Sequence, residues 1–177
     1  LAIYNKKKLI FNFHHIHSSN LTFVDKDFEE RRKKFSDFKE YKNFFKKDQI
    51  IIDPDERKKI IEKKFYLLLK KKNIVIKQNQ KLLEEVVDLI DRPNVIICQF
   101  NKKFLKIPKE ILVITMQYHQ KYFPTFDKKG NITNDFLVVS NKKDQKGLIK
   151  LGNERVVEAR LTDAEFFWQK DKSQNLV

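Results

Sequence analysis

Residues 119 to 131 read HQKYFPTFDKKGN. A histidine, a lysine and a tyrosine within four positions supply a base, a cation and a phenol, the groups from which proton transfer or phosphate binding is built. A general base needs a reacting atom within reach and usually a second group that orients it. The sequence neighbours of His119 are amides, a lysine and phenol rings, so His119, Lys121 and Tyr122 fit a phosphate- or ribose-contacting surface better than a catalytic centre. Phe123 and Pro124 belong beneath that surface as packing residues. The chain has 3 Gly and 4 Pro, and Pro124 and Gly130 both fall here, which marks a helix-to-strand junction followed by a tight turn.

Other chemistry-bearing groups are weaker. His14, His15 and His17 invite a metal reading, but no Cys or carboxylate stands near them at ligand spacing. Placed on a strand, His15 and His17 share one face while His14 points the other way. The single Cys98 lies in the apolar run NVIICQF. It excludes internal disulfides and fits a buried thiol in a reducing, cytoplasmic setting. The glycines at 130, 147 and 152 are too dispersed for a phosphate-cradling loop. No Ser or Cys stands beside a plausible base, so no catalytic residue is assigned, and no metal or cofactor is expected in this stretch.

Near the C-terminal end, GNERVVEARLTDAEFFWQKD gathers Arg155 and Arg160, two of only six arginines, with Glu154, Glu158, Asp163 and Glu165. On a helix these are neighbours, and Arg160 with Asp163 reads as a structural ion pair. Asn153, Arg155, Arg160 and Trp168 are candidate contacts for RNA or a partner subunit. Phe166 and Phe167 are candidate packing residues. Three consecutive aromatics cannot all face one core, so at least one is expected to face another domain, another chain or a base.

The 177 residues suffice for one sizeable domain or a domain with an appendage. A 41% apolar share allows a buried core, and no apolar run approaches the ~18 residues of a membrane span. Leu1 opens what reads as a strand in progress, so the chain is expected to be an interior piece of a longer polypeptide. A formal charge of +14 suits an anionic partner such as nucleic acid. Lys, Ile, Asn and Phe share A/T-rich codons, however, and the excess is spread along the chain, so charge alone is weak grounds.

Several elements must position these groups. LAIYNKKKLIFNFHHIH reads as a hairpin around Asn5 to Lys8. Spacings of three and four among Phe35, Phe38, Tyr41 and Phe45 predict a helix starting near Ser36 or Asp37. Asp53, Pro54 and Glu56 form an N-terminal cap for a helix whose apolar face holds Ile60, Ile61, Phe65, Leu68 and Leu69, with Asn73 as its end. QKLLEEVVDLI is a second helix, stopped before Pro93. NVIICQF is a buried strand, and Pro108 opens a third helix with Ile111, Leu112, Thr115 and Met116 inward. KYFPTFD and NDFLVVSN flank the turn KKGN, with Pro124 either near a sheet edge or turned away from the ladder. The remainder is helical in pattern, with a break expected at Gly152. Irregular alternation of strands and helices indicates a mixed α/β (α+β) fold.

The run DRPNVIICQFNKKFLKIPKEILVITMQYHQKYFPTFDKKGNITNDFLVVSN, followed by GNERVVEARLTDAEFFWQKDK, resembles the beta subunit of the bacterial two-subunit glycyl-tRNA synthetase. The likeness is dense over residues 91–172 and thinner upstream, through SSNLT, DFKEYKNFF and IIIDPDERKKII. After SSNLT the family usually shows a Gly-His-Arg-Phe-like run, whereas this chain has Phe23-Val24-Asp25-Lys26-Asp27-Phe28, which puts any role of that run in doubt here. The resemblance implies a B3/B4-like module over residues 1–141, with a mixed or antiparallel sheet flanked by helices, and a helical segment over 142–177 leading into the next domain. It implies a cytoplasmic α2β2 ligase that joins glycine to its tRNA. ATP and magnesium would sit on the alpha subunit, and the partners would be glycine tRNA, the alpha subunit and the rest of the beta subunit. The stretch itself would be a non-catalytic tRNA-binding and scaffolding part. The alternatives are an editing module that deacylates mischarged tRNA, or a pure subunit-interaction module.

Overall fold

A computed structural model describes residues 2–24, 31–118 and 120–175. It divides into two compact units, Leu1–Ile52 and Asp53–Val177. The last helix packs into the second unit through Val157 and Leu161, both fully buried.

The first unit is a series of short hairpins and one helix. Strand β1 (Ile3–Tyr4) pairs with β2 (Lys7–Lys8), and β3 (Asn12–Phe13) pairs with β4 (Ile16–His17). Asn5 and Lys6 both have positive φ, as the two central residues of a type I′ turn require. The turn is thus two residues, and Lys7 and Lys8 belong to the strand. His14 and His15 form the second turn, His14 at φ 51°, so strand alternation does not apply to them. His17 Nδ1 lies 2.6 Å from Asn12 Oδ1. Strand β5 (Leu21–Val24) pairs antiparallel with β6 (Arg31–Lys34); the residues between them, including most of the stretch that departs from the family pattern, lie outside the described residues. Helix α1 (Phe38–Lys47) starts where Asp37 Oδ1 accepts the Glu40 amide at 2.8 Å. Glu40 in turn accepts the Ser36 amide and hydroxyl, and these bonds hold its carboxyl below the usual range. The only buried apolar side chains described in this unit are Val24 and Phe35, the latter ringed by Tyr41 and Phe44.

The second unit is a three-layer stack. Helix α2 (Pro54–Lys72) is capped by Asp53 and ended by Asn73 in the left-handed conformation, with its last-turn lysines at the negative end of the helix dipole. Then follow β7 (Val75–Ile76), α3 (Gln80–Leu89), β8 (Asn94–Gln99), a 3-10 turn at Lys102–Lys106, α4 (Lys109–Gln117), β9 (Phe123–Phe126), β10 (Ile132–Ser140) and α5 (Leu148–Ser173). The sheet order is β7-β9-β10-β8, all antiparallel. Period-two alternation sends Phe136, Val138 and Cys98 into one layer with Leu112, Met116, Val157 and Leu161 of α4 and α5. It sends Leu137, Val95 and Ile97 into the other with Ile61 and Phe65 of α2 and the apolar face of α3. Both sheet faces are covered, which is why these strands read as continuous apolar runs. The mixed α/β architecture, with its antiparallel sheet and terminal helix, is the one read from the sequence.

Two local features differ from expectation. Strand β9 is interior, with β7 on one side and β10 on the other, but β7 reaches only Thr125 and Phe126. Its ladder stops at the position where Pro124 has no N–H to offer. Helix α5 runs unbroken through Gly152. The chain turns at Gly147 instead, at φ 73°, and Asp144 accepts the Ile149 and Lys150 amides at the helix start.

Candidate functional site

The HQKYFP junction is built by the end of α4. The Tyr118 amide donates to Ile114 O and the Tyr122 amide to Met116 O, so the chain wraps back across the helix end before β9 begins. His119 lies outside the described residues. Lys121 takes φ 55°, and its ammonium meets Glu85 of α3 at 2.6 Å. That hydrogen bond holds the Glu85 carboxyl below the ordinary range. Lys121 and Phe123 both reach the α2–α3 layer, Phe123 edge-on to Phe65 at 4.8 Å. Tyr122 turns to the opposite layer.

Tyr122 is 5% exposed, and its hydroxyl donates to Asn153 Oδ1 at 2.6 Å while Asn153 Nδ2 donates to Ile149 O. The structure thus brings Tyr122 and Asn153 together, but as an internal clasp between the junction and α5 rather than as outward contacts. Burial pushes the Tyr122 phenol and the Cys98 thiol each up to about 12, with Glu154 adding to the effect at Cys98. At neutral pH the thiol is an inert core group.

The following hairpin is held by its own carboxylate. Asp127 accepts the amides of Lys129 and Asn131 and the side-chain amide of Asn131, and these bonds, Asn131 foremost, hold it below the usual carboxylate range. Opposite Thr125 the β10 register shifts. There Thr125 Oγ1 donates to Asp135 O at 2.7 Å. The buried Asp135 carboxylate receives Lys72 at 2.7 Å and Gln99 Nε2 at 2.8 Å. Sequence reasoning passed over Asp135 and Lys72. The signal was present: a carboxylate inside the strand NDFLVV demands a partner if it is buried.

On α5 the roles differ from the sequence reading. Glu154 and Glu158 do not serve the arginines. They accept the backbone amides of Gln99 and Asn101 at 2.8 and 2.9 Å, along the outer edge of β8, and Glu165 takes Lys106 at 2.6 Å. Arg155, Arg160 and Asp163 are exposed, and among the described residues no ion pair joins Arg160 to Asp163. The aromatic triplet is also reversed. Trp168, proposed as a contact, packs on the core, with Lys172 5.7 Å from its ring centre. Phe166 and Phe167, proposed as packing residues, are 62% and 61% exposed and stand edge to face. The helical phase admits one of three neighbours to the core, and the indole takes the place.

A hollow of about 240 Å³ lies beside the junction, between the start of α3 and the end of α4. Asn79, Lys81, Glu85, Gln117, Tyr118 and Lys121 line it together with the apolar Leu82 and Ile114, and Tyr118 is 70% exposed. A larger groove of about 580 Å³ lies between the end of α2, β7 and α3, with an apolar floor that includes Phe65, Leu83 and Phe123. Amides, ammonium groups and a phenol can donate to phosphate and sugar oxygens. Among the described residues no three His, Cys, Asp or Glu gather as a metal would require, and no helix is long and apolar enough to cross a membrane.

Comparison with known proteins adds a family. The model of the glycyl-tRNA synthetase beta subunit matches residues 1–177. The glycine–tRNA ligase beta subunit of Rickettsia peacockii (strain Rustic) is 36% identical over 177 residues, which is 99% of this chain and 27% of that protein. The corresponding subunit of Paracidovorax citrulli (strain AAC00-1) is 49% identical over 100 residues, covering 56% of this chain and 14% of the relative. That of Acidovorax ebreus (strain TPSY) is 51% identical over 98 residues. The chain spans about a quarter of the length of the Rickettsia relative.

Proposed function

The chain belongs to the glycyl-tRNA synthetase beta-subunit family, and from that premise we propose that it is a non-catalytic tRNA-contacting and scaffolding part of a glycine–tRNA ligase. Glycine, ATP and magnesium are handled on the alpha subunit, and this chain positions glycine tRNA for the transfer. The observation that carries the reading is the hollow at the junction. Its rim of Lys81, Gln117, Tyr118 and Lys121 offers donors for phosphate and ribose at the Asn79-capped start of α3 and the end of α4. The groups that could have served as nucleophiles, Cys98 and Tyr122, are spent inside the core. A second reading, contact with another polypeptide, is favoured by the exposed Phe166–Phe167 pair and can hold alongside the first.

A salt titration of glycine tRNA binding tests the proposal. Each phosphate neutralised is expected to add a slope of roughly −0.7 to −0.9 in log K against log salt; Lys81→Ala is expected to remove about one such increment and Lys121→Ala less, because Glu85 already pairs with Lys121. No affinity for tRNA at low salt would leave only the polypeptide-contact reading. Rapid deacylation of alanyl- or seryl-tRNA bearing glycine's anticodon would establish the editing alternative.

A further inference from the structure

The hairpins of residues 2–24 present a surface that the junction does not explain. The crossover between them is tightly made. Ser18 Oγ donates to Leu9 O at 2.6 Å and accepts the Phe11 amide at 3.0 Å, while the Ser18 amide donates to Phe11 O. The Leu9 amide donates to Ala2 O, and the Ala2 amide to Ser19 O. The two hairpins are therefore joined at one hydrogen-bonded crossing, and the chain passes over it at Ile10, 88% exposed. Tyr4, Phe11 and Phe13 are also exposed. Leu9 and Ile16 are exposed as well, and large apolar side chains left in solvent this densely along the chain point to an interaction surface.

Charge selects among occupants. Residues 2–24 contain no Asp or Glu, and they carry Lys6, Lys7 and Lys8, all exposed, with three histidines. An acid-free ribbon with exposed aromatic faces has the composition of a stacking platform for nucleic acid: ammonium groups track the phosphates and the rings stack on bases. Duplex RNA hides its base faces inside the helix, so rings of this kind recognise unpaired nucleotides. The positive-φ turns at Asn5–Lys6 and His14 and the Ser18 clip fix the backbone beforehand, which lowers the ordering entropy on binding.

We infer that the hairpin ribbon of residues 2–24 binds unpaired RNA, with Lys6 to Lys8 on phosphates and Phe11 and Phe13 stacking on bases. The inference rests on the tRNA-binding reading and assigns it a second contact, carried by the other compact unit.

The test is fluorescence anisotropy with the full 177-residue chain and a labelled unpaired oligonucleotide of about 12 nucleotides, against a duplex of the same length. Unpaired RNA is expected to bind at least tenfold more tightly than duplex. The Phe11→Ala/Phe13→Ala variant is expected to lose about 30-fold or more in affinity, and Phe13→Trp to retain it. Replacing Lys6, Lys7 and Lys8 by Ala is expected to make the salt slope shallower by about 2. Circular dichroism melts check that each variant folds, and Phe13→Trp keeps a stacking readout should the alanine variant not fold. If the wild type binds RNA while the ribbon variants leave affinity unchanged, the ribbon assignment is wrong and the junction reading stands. If the wild type binds no RNA at low salt, both fall. Equal binding of duplex, preferential binding to phosphatidylserine vesicles, or a loss of self-association in place of a loss of RNA binding each overturns the assignment.

Discussion

Residues 2–17 and residues 123–140 are both hairpin sequences rich in aromatic and β-branched side chains, yet they end in opposite environments. The first leaves Phe13 and Ile16 in solvent; the second buries Phe123, Phe136 and Leu137. Composition does not separate them. The second hairpin lies between α2–α3 on one face and α4–α5 on the other, so the apolar residues of both faces meet helices. The first is a pair of two-residue ladders with Val24 and Phe35 as the nearest described core in its unit. Short isolated hairpins are marginal in water. What buries an apolar strand residue is the layer opposite it, and an apolar hairpin without such a layer is free to serve as a contact surface.

The sharpest way to break this comparison is a pair of truncations. Leu137→Ala, at a site with no solvent exposure, is expected to destabilise the second unit by about 2–5 kcal/mol in urea unfolding. Phe13→Ala removes a larger side chain and is expected to change stability by less than about 0.5 kcal/mol. Comparable losses would mean that the ribbon is packed after all.

Alkaline pH probes the buried layer from another side. The folded Tyr122 and Cys98 are pushed up to about 12 from ordinary values of 10.0 and 9.0, so the unfolded chain releases these protons first. Their contribution is complete below about pH 9 and is lost as pH rises toward 12. Unfolding midpoints between pH 8 and 11 are expected to fall less steeply for Tyr122→Phe than for the wild type. Parallel profiles would place Tyr122 outside the core.

Smaller effects are expected where the sequence reading and the structure part. Arg160→Ala and Asp163→Ala, which the sequence presented as a structural pair, are exposed and are expected to shift stability by no more than about 0.5 kcal/mol each. Thermal melts decide between the two readings. Gly152→Ala is expected to stabilise α5 by about 0.5–1 kcal/mol, since an added Cβ meets nothing within 4 Å. A destabilised variant would show that the helix uses that glycine.

These differences show which parts of the molecule local sequence determines. The caps at Asp37, Asp53 and Asn73 were legible because each acts within four residues of its partner. The strand–turn–strand at 123–140 was legible because Pro, Gly and β-branched residues punctuate it. His14 was placed on a strand because its turn lacks the Asn-Gly or Asp-Gly signature. Glu154 and Glu158 were read as helix-surface partners because their true acceptor roles lie 55 and 57 positions away, on amides of Gln99 and Asn101. Which of Trp168 and Phe166 packs on the core was not legible, because helical phase relative to the core is a tertiary property. Within the candidate site, Lys121 was legible, whereas Glu85 and Asn79 were not, since only the packing of α3 against α4 brings them there.

The central claim, that this chain contacts tRNA without taking part in the chemistry, is tested most directly by separating the two half-reactions. In an assembled alpha–beta complex carrying Tyr118→Ala and Lys121→Ala, glycyl-adenylate formation is expected to stay within about twofold of the wild type. Transfer of glycine to tRNA is expected to fall about tenfold through a raised KM for tRNA, the equivalent of about 1.4 kcal/mol of lost binding. Loss of adenylate formation while the complex remains intact would contradict the account.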